Sequence, residues 1–280
     1  RTSKGKKAPY VKPQDLKPGE WTFVRDHTRD KAGSTQIFGS FFVRLAEGQM
    51  LADARIFIPV RSAGVQFSGA NAHLVIRNIT ATHPYNDGFN IHGDCRDVVF
   101  ENIRAIECGD DGISAHESAE YRVDGLVSIG NSTGITDTGT AKTTYRRVFL
   151  ADNLAFDLYF LNAGRYAVSD AVVLSSSEHS LHIAGGKDQR SELRLDNVLI
   201  RRTGPTGSAA VAKDATLFAR RFTIEGDKLK VDGKLDYDGS VAGRQELIES
   251  VVPAEYRSRL TEQAENQLGL CGILDDLRLQ

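Results

Sequence analysis

Cysteine is scarce in this chain: Cys95, Cys108 and Cys271 are the only three in 280 residues. Three thiols at irregular spacing give neither a disulfide framework nor a cysteine zinc site. Long apolar runs are missing too. No stretch reaches the roughly 18 residues that a membrane span needs, so none is expected. An excess of one charge is also lacking. Lys and Arg number 35 against 37 Asp and Glu, for a net charge of −2, whereas nucleic-acid binders carry a basic surplus. The basic start, Arg1, Lys4, Lys6, Lys7 and Lys12, reads as a solvated end. No secretory leader is visible, and a secreted or periplasmic location is expected with any leader lying before Arg1. Oligomeric state is not legible.

What the chain does have is a repeat. Gly64-Val65-Gln66-Phe67-Ser68-Gly69 returns as Gly88-Phe89-Asn90-Ile91-His92-Gly93 and again as Gly112-Ile113-Ser114-Ala115-His116-Glu117. Weaker copies follow at Gly134-Ile135-Thr136-Asp137, Asp157-Leu158-Tyr159-Phe160 and Ser180-Leu181-His182-Ile183. A second motif keeps step: Leu74-Val75-Ile76-Arg77-Asn78-Ile79, then Val98-Val99-Phe100-Glu101-Asn102-Ile103, with a late echo at Leu195-Asp196-Asn197-Val198. Apolar and polar residues alternate within each run, and Gly, Asp and Asn separate the runs. A leucine-rich repeat has a similar period but needs its own leucine pattern and a helical or 3₁₀ return. Gly109-Asp110-Asp111-Gly112 occupies that place here, and Gly and Asp disfavour helix. The expected fold is all-β, a right-handed parallel β-helix with a helical C-terminal segment.

Three regions are expected. Residues 1–63 hold strands at Trp21–Arg25 and Phe41–Leu45, read as a hairpin flap. Residues 64–240 form the solenoid, with a hairpin turn expected at Asp232-Gly233. Residues 241–280 are a helical cap, with helix over 243–268 broken at Pro253 and covering the open end of the last coil.

The period names surface neighbours. One outward column reads Gln66, Asn90, Ser114, Thr136, Tyr159, His182, and the next reads Ser68, His92, His116, Thr138, Leu161. Asp87 and Asp111 share a register just ahead of these strands, and Asp110 stacks over Asn86. Asp before Gly is ordinary turn chemistry. Crowded carboxylates are also the equipment of acid–base catalysis, because their repulsion lets one keep a proton that another lacks. Asn90, His92, His116, Tyr159 and His182 are the candidate substrate-binding residues, Tyr159 by stacking on a sugar ring. Cys108 reads as an inward packing residue. Two histidines beside acids are no fixed metal motif, so no metal is expected.

Tyr85-Asn86-Asp87-Gly88 followed by Cys108-Gly109-Asp110-Asp111-Gly112 resembles two successive signatures of the polygalacturonases and their relatives. That family pairs Asn-Thr-Asp-Gly on one coil with Gly-Asp-Asp or Gln-Asp-Asp on the next. The resemblance implies a β-helical glycoside hydrolase of the pectate-lyase-like superfamily that cleaves by inversion. It makes Asp110 the general acid, with Asp87 and Asp111 activating water. The family's Gly-His-Gly falls on Ser132-Thr133-Gly134, and its Arg-Ile-Lys falls on Leu158-Tyr159-Phe160. The histidine and the cations that grip a uronate carboxylate are therefore absent. Pro18-Gly19-Glu20-Trp21 through Leu45 resembles a Gly-Glu-Trp hairpin common in bacterial β-helix proteins presumed to act on polysaccharides.

The leading expectation is a glycoside hydrolase acting on a polysaccharide or oligosaccharide, with no cofactor. The alternatives are a polysaccharide lyase or epimerase acting on a uronate polymer, with Ca²⁺ on the Asp cluster, and a non-catalytic glycan-binding β-helix.

Overall fold

The computed structural model describes residues 11–30, 32, 38–54, 56 and 61–261. The chain divides into two compact units, Arg1–Ile58 and Pro59–Gln280.

In the first unit, β1 (Trp21–Arg25) pairs antiparallel with β2 (Gly39–Val43), from Trp21 opposite Val43 to Arg25 opposite Gly39. This is the hairpin the sequence suggested. Arg44 donates to the Leu16 carbonyl at 2.8 Å, and the Trp21 and Phe41 rings lie 5.2 Å apart.

The second unit is a parallel β-solenoid. One sheet, called here the site sheet, stacks β3 (Val65–Phe67), β6 (Phe89–Ile91), β8 (Asp111–Ala115), β10 (Thr133–Asp137), β12 (Phe156–Leu161), β14 (His179–Ala184), β16 (Ser208–Val211) and β18 (Leu229–Val231). The return sheet stacks β4 (Ala72–Arg77), β7 (Arg96–Ile106), β9 (Glu120–Ile129), β11 (Lys142–Ala151), β13 (Arg165–Ser175), β15 (Ser191–Arg202), β17 (Ala215–Glu225) and β19 (Lys234–Asp238), with β5 (Thr80–Thr82) also beside β7. Apart from the first coil, which gives the return sheet both β4 and β5, each coil contributes one strand to each sheet, and every pairing in both sheets is parallel.

Left-handed residues mark the corners. Asn78, Asn102, Gly125, Arg147, Asp170, Asn197 and Arg221 follow one another coil by coil, all with φ between 46° and 89°. A second such series is His83, Glu107, Gly130 and Asp152, and a third is Gly69, Gly93, Glu117, Gly139 and Asn162. Gly, Asn and Asp tolerate this conformation best, so the Asn78/Asn102/Asn197 echo in the sequence is a corner written in side-chain chemistry.

The core is a set of inward columns. Phe89, Ile113, Ile135, Leu158, Leu181 and Ala209 are fully buried one above another. Each such aliphatic side chain contributes about 2 kcal/mol by leaving water. Phe100, Tyr121 and Tyr145 meet edge to face at 5.5 and 5.9 Å. At another corner Asn131 Oδ1 accepts from Cys108 N–H at 2.8 Å, and Asn153 Oδ1 accepts from Asn131 N–H at 3.1 Å. This internal amide ladder ties consecutive coils together. Cys108 is buried in the core, as its position suggested.

Two expectations are corrected. Asp232-Gly233 does not close a hairpin: β18 and β19 belong to different sheets, and the glycine turns the last coil from one to the other. The helices also lie elsewhere than expected. α1 (Arg244–Val251) and α2 (Ala254–Thr261) are separated at Pro253 as the sequence predicted, but α1 packs on β11 and β13, on the flank of the solenoid. Leu247, Ile248, Val252 and Leu260 cover Phe149, Val172, Leu174 and Leu199, apolar residues that the return strands turn outward. Arg259 forms a double hydrogen bond to Asp152, 2.8 Å each, and Arg201 donates to the Leu260 carbonyl at 2.6 Å. An outward apolar patch calls for a cover, and these helices are that cover. Helix expected over 262–268 lies outside the described residues.

Candidate functional site

The site begins with two glycines. A Cβ on Gly112 would stand 2.1 Å from Ser128 Oγ, and one on Gly88 would stand 2.6 Å from the Gly112 carbonyl oxygen. Only glycine lets the backbone pass so close to the interior here. Asp87 and Asp111 stand one residue before these glycines. Gly88 N–H donates to the Asp111 carbonyl at 2.8 Å, and Asp110 N–H donates to the Asn86 carbonyl at 3.0 Å, locking the two coils in register.

Asp87, Asp110 and Asp111 each bring a carboxylate oxygen to within 4.8 Å of the other two. The sequence register therefore assembles the three acids it named. Asp87 and Asp111 are each 2% exposed, whereas Asp110 is only partly buried. Asp87 Oδ1 accepts from Asp111 N–H at 3.1 Å, and its Oδ2 accepts from the Ser114 hydroxyl at 2.7 Å. Two unit charges at 4.8 Å repel by about 3 kcal/mol at an effective dielectric of 20. Such a cluster favours holding a cation. Among the described residues it is the one group with the hard oxygen donors suited to an ion such as Ca²⁺.

The first strand column follows the predicted order. Gln66, Asn90, Ser114, Thr136, Tyr159 and His182 are successive ladder partners. The face is more enclosed than an outward strip suggests: Asn90, Ser114 and Thr136 are 5%, 0% and 4% exposed. Rings of His92 and His116 stack at 4.1 Å, tilted by 5°. His116 Nε2 lies 3.2 Å from Ser114 Oγ, so a chain of contacts runs from His116 through Ser114 to Asp87. His92 stands 3.7 Å from the Glu117 carboxylate.

Farther along the same face the side chains become aromatic. The column that starts with Asp87 and Asp111 continues through Thr133, Phe156, His179 and Ser208. Phe156 stacks on Tyr159 at 4.1 Å and on His179 at 4.6 Å, and Tyr159 lies 5.5 Å from His182. His179 Nδ1 is 2.6 Å from Ser208 Oγ. Burial, with His179 nearby, lowers the pKa of His182 and favours its neutral ring. Tyr159 and His182 were named from the sequence; Phe156 and His179 were not. Extending the Asp87–Asp111 register with the same 22–24 residue period would have found them.

Two more carboxylates are buried inside the solenoid. Asp137 accepts hydrogen bonds from Tyr145 at 2.9 Å, Tyr121 at 3.2 Å and Ala115 N–H at 3.1 Å, with Thr143 also bonded, and burial raises it to about 7. Asp157, bonded by Asn153 and Ser177, is raised by burial to about 6. Both face the interior, away from the three-acid cluster.

No helix among the described residues is long and apolar enough to cross a membrane. Comparison with protein-family models, with curated proteins and with solved structures found no match, so the fold and the site geometry alone carry the functional argument.

Proposed function

We propose that this β-helix is a carbohydrate-active enzyme, a glycoside hydrolase acting on a neutral or lightly charged polysaccharide. The observation that carries the reading is the convergence of Asp87, Asp110 and Asp111 within 4.8 Å at the edge of a continuous β-face. Cleavage of a glycosidic bond needs a proton for the leaving oxygen and a carboxylate facing the anomeric carbon or its water. Asp110, the most accessible of the three, is the proton donor. Asp87 and Asp111 act on the water or on the developing positive charge. Ser114 holds one Asp87 oxygen, which orients that carboxylate. His92 and His116 flank the same edge and supply hydrogen bonds to sugar hydroxyls.

The outward columns from β6 to β14 contain no Lys or Arg. A uronate carboxylate placed there would meet acids and no cation, which favours an uncharged sugar. Inverting enzymes hold their carboxyl groups roughly 6.5–9.5 Å apart and retaining ones roughly 5–5.5 Å, and the two differ in the anomer first released. The anomer of the first product, read by NMR, is thus an informative second measurement.

The test is incubation with neutral and uronate polysaccharides, reading reducing ends and unsaturated-sugar absorbance together. Asp110→Ala is expected to lower reducing-end release by about 10²–10⁴-fold, the usual contribution of a positioned acid, with circular dichroism unchanged. Near-normal turnover in that variant would sink the assignment. Unsaturated products would replace hydrolysis by elimination.

A further inference from the structure

The rings on β12 and β14 lie outside the three-acid cluster. Phe156, Tyr159, His179 and His182 are partly exposed; Phe156 stacks on Tyr159 and on His179, and His182 meets them tilted or edge-on. Aromatic residues at a protein surface expose apolar area that solvation disfavours. Next to them, on β10, the same columns carry short side chains, Thr133 and Thr136. A step from threonine to aromatic therefore crosses both columns at once. Thr133 and Thr136 are 0% and 4% exposed, and neither hydroxyl oxygen has a hydrogen-bond partner; the Asn90 Oδ1 atom, on β6, is in the same condition. A buried hydroxyl or amide without a partner costs about 1–3 kcal/mol. The strip between the acids and the rings thus lacks partners of the kind a hydroxyl-rich ligand supplies.

Coil spacing gives the scale. Phe156 lies two coils beyond Asp111, which is roughly 10 Å along the solenoid axis. That leaves room for sugar units between the acids and the rings.

We propose that Phe156, Tyr159, His179 and His182 form a stacking subsite for an uncharged pyranose ring, and that the glycan lies along the solenoid axis from this platform, past Thr133 and Thr136, to the acidic cluster. A pyranose ring has one face of C–H groups, which suits the face of an aromatic ring, and hydroxyls on its edge, which suit the threonines and Asn90. Burial lowers the His182 pKa, which favours its neutral ring. This inference rests on the carbohydrate-active reading, but it concerns binding and not cleavage.

The experiment titrates Asp110→Asn, chosen to suppress cleavage, with cellohexaose, mannohexaose and xylohexaose by calorimetry. A hexagalacturonate serves as the charged comparison, and the disaccharides as short ones. At least one neutral hexamer is expected to bind more tightly than its disaccharide and than hexagalacturonate. Adding Phe156→Ala is expected to weaken that hexamer by about tenfold or more, roughly 1.4 kcal/mol, and to leave the disaccharide unchanged. Phe156→Tyr should restore binding, which separates stacking from a folding defect. No binding by any neutral hexamer, or equal binding with and without the Phe156 ring, overturns the proposal. Binding that depends on Phe156 in a chain that never cuts the glycan leaves this inference standing and removes the hydrolase reading. Cleavage with an unchanged KM in Phe156→Ala does the reverse.

Discussion

At the scale of single residues, the least expected feature is a carboxylic acid where the repeat calls for an apolar side chain. Asp137 occupies the inward column between Ala115 and Phe160. Four donors surround it, yet burial outweighs them and raises its pKa to about 7. The folded-state value lies above the ordinary 3.8, so the associated stability is fully present below about pH 4. It fades as pH rises through about 7. A displacement of this size corresponds to roughly 4 kcal/mol at most. Asp157, raised to about 6, acts in the same direction. Urea unfolding at pH 5 and pH 8 should therefore show a more stable protein at the lower pH. Asp137→Asn should shrink that difference and stabilise the protein at pH 8, because its carbonyl can keep the Tyr121, Tyr145 and Ala115 bonds while its amide donates to Thr143. An undiminished difference would show that Asp137 is not its source. Sequence reading placed Asp137 on the repeat but could not assign it this chemistry. Its partners, Tyr121, Thr143 and Tyr145, come from the return strands, and no spacing along the chain announces that meeting.

At the scale of elements, the return strands from β7 to β17 each bend at a left-handed residue. Asn102 sits at such a corner with φ 51° and is exposed, so its backbone angle matters more than its contacts. Asn102→Ala should cost about 1–2 kcal/mol, the usual penalty for an ordinary L-residue in that region. Asn102→Gly should be nearly neutral, since glycine adopts the angle freely but gains freedom when unfolded. Thermal unfolding of the pair tests this, and equal losses would point to the side chain instead. The corner asparagines were visible in the sequence as echoes at 78, 102 and 197. Arg147, Asp170 and Arg221 take the same corner without resembling them. Arg147 and Arg221 are each ion-paired to the preceding coil, at 2.6 Å to Asp124 and 2.6 Å to Asp196. Ladder stacking holds the corner there, and stacking is a property of neighbours that one coil's sequence does not contain. The acidic cluster was legible because one register carries Asp87 and Asp111. The aromatic platform was half legible, through Tyr159 and His182, because its other half occupies a neighbouring column.

At the scale of the whole molecule, the β-solenoid was readable from its period, and the position of the helices was not. The sequence indicated helices on either side of Pro253 but not the surface that they cover. The partner surface, Phe149, Val172, Leu174 and Leu199, lies on return strands that bury both faces. That two-sided burial explains the nearly continuous apolar runs Val148–Ala151 and Ala171–Leu174, which a one-faced strand would not need. Leu247, 3% exposed, is central to the contact. Leu247→Asp should undock α1, because an unpaired charge buried against that surface costs several kcal/mol. The expected result is increased binding of a hydrophobic dye and self-association on a sizing column, with the β-sheet circular dichroism retained. Loss of the β signal would mean that the helices are needed for the solenoid itself.

Because the coils between the acids and the rings stack strand on strand, 22 and 23 residues apart (Asp111 to Thr133 to Phe156), the protein has a built-in unit of length there. Removing one whole turn between the acids and the rings would leave each remaining ladder in phase, and would bring the two ends of the site nearer by about 4.8 Å. Removing half a turn would put strands where corners belong. A chain built this way can change its reach only in whole steps, like a ruler cut at its graduations, so descendants that recognise longer or shorter ligands are expected to differ in length by close to one repeat.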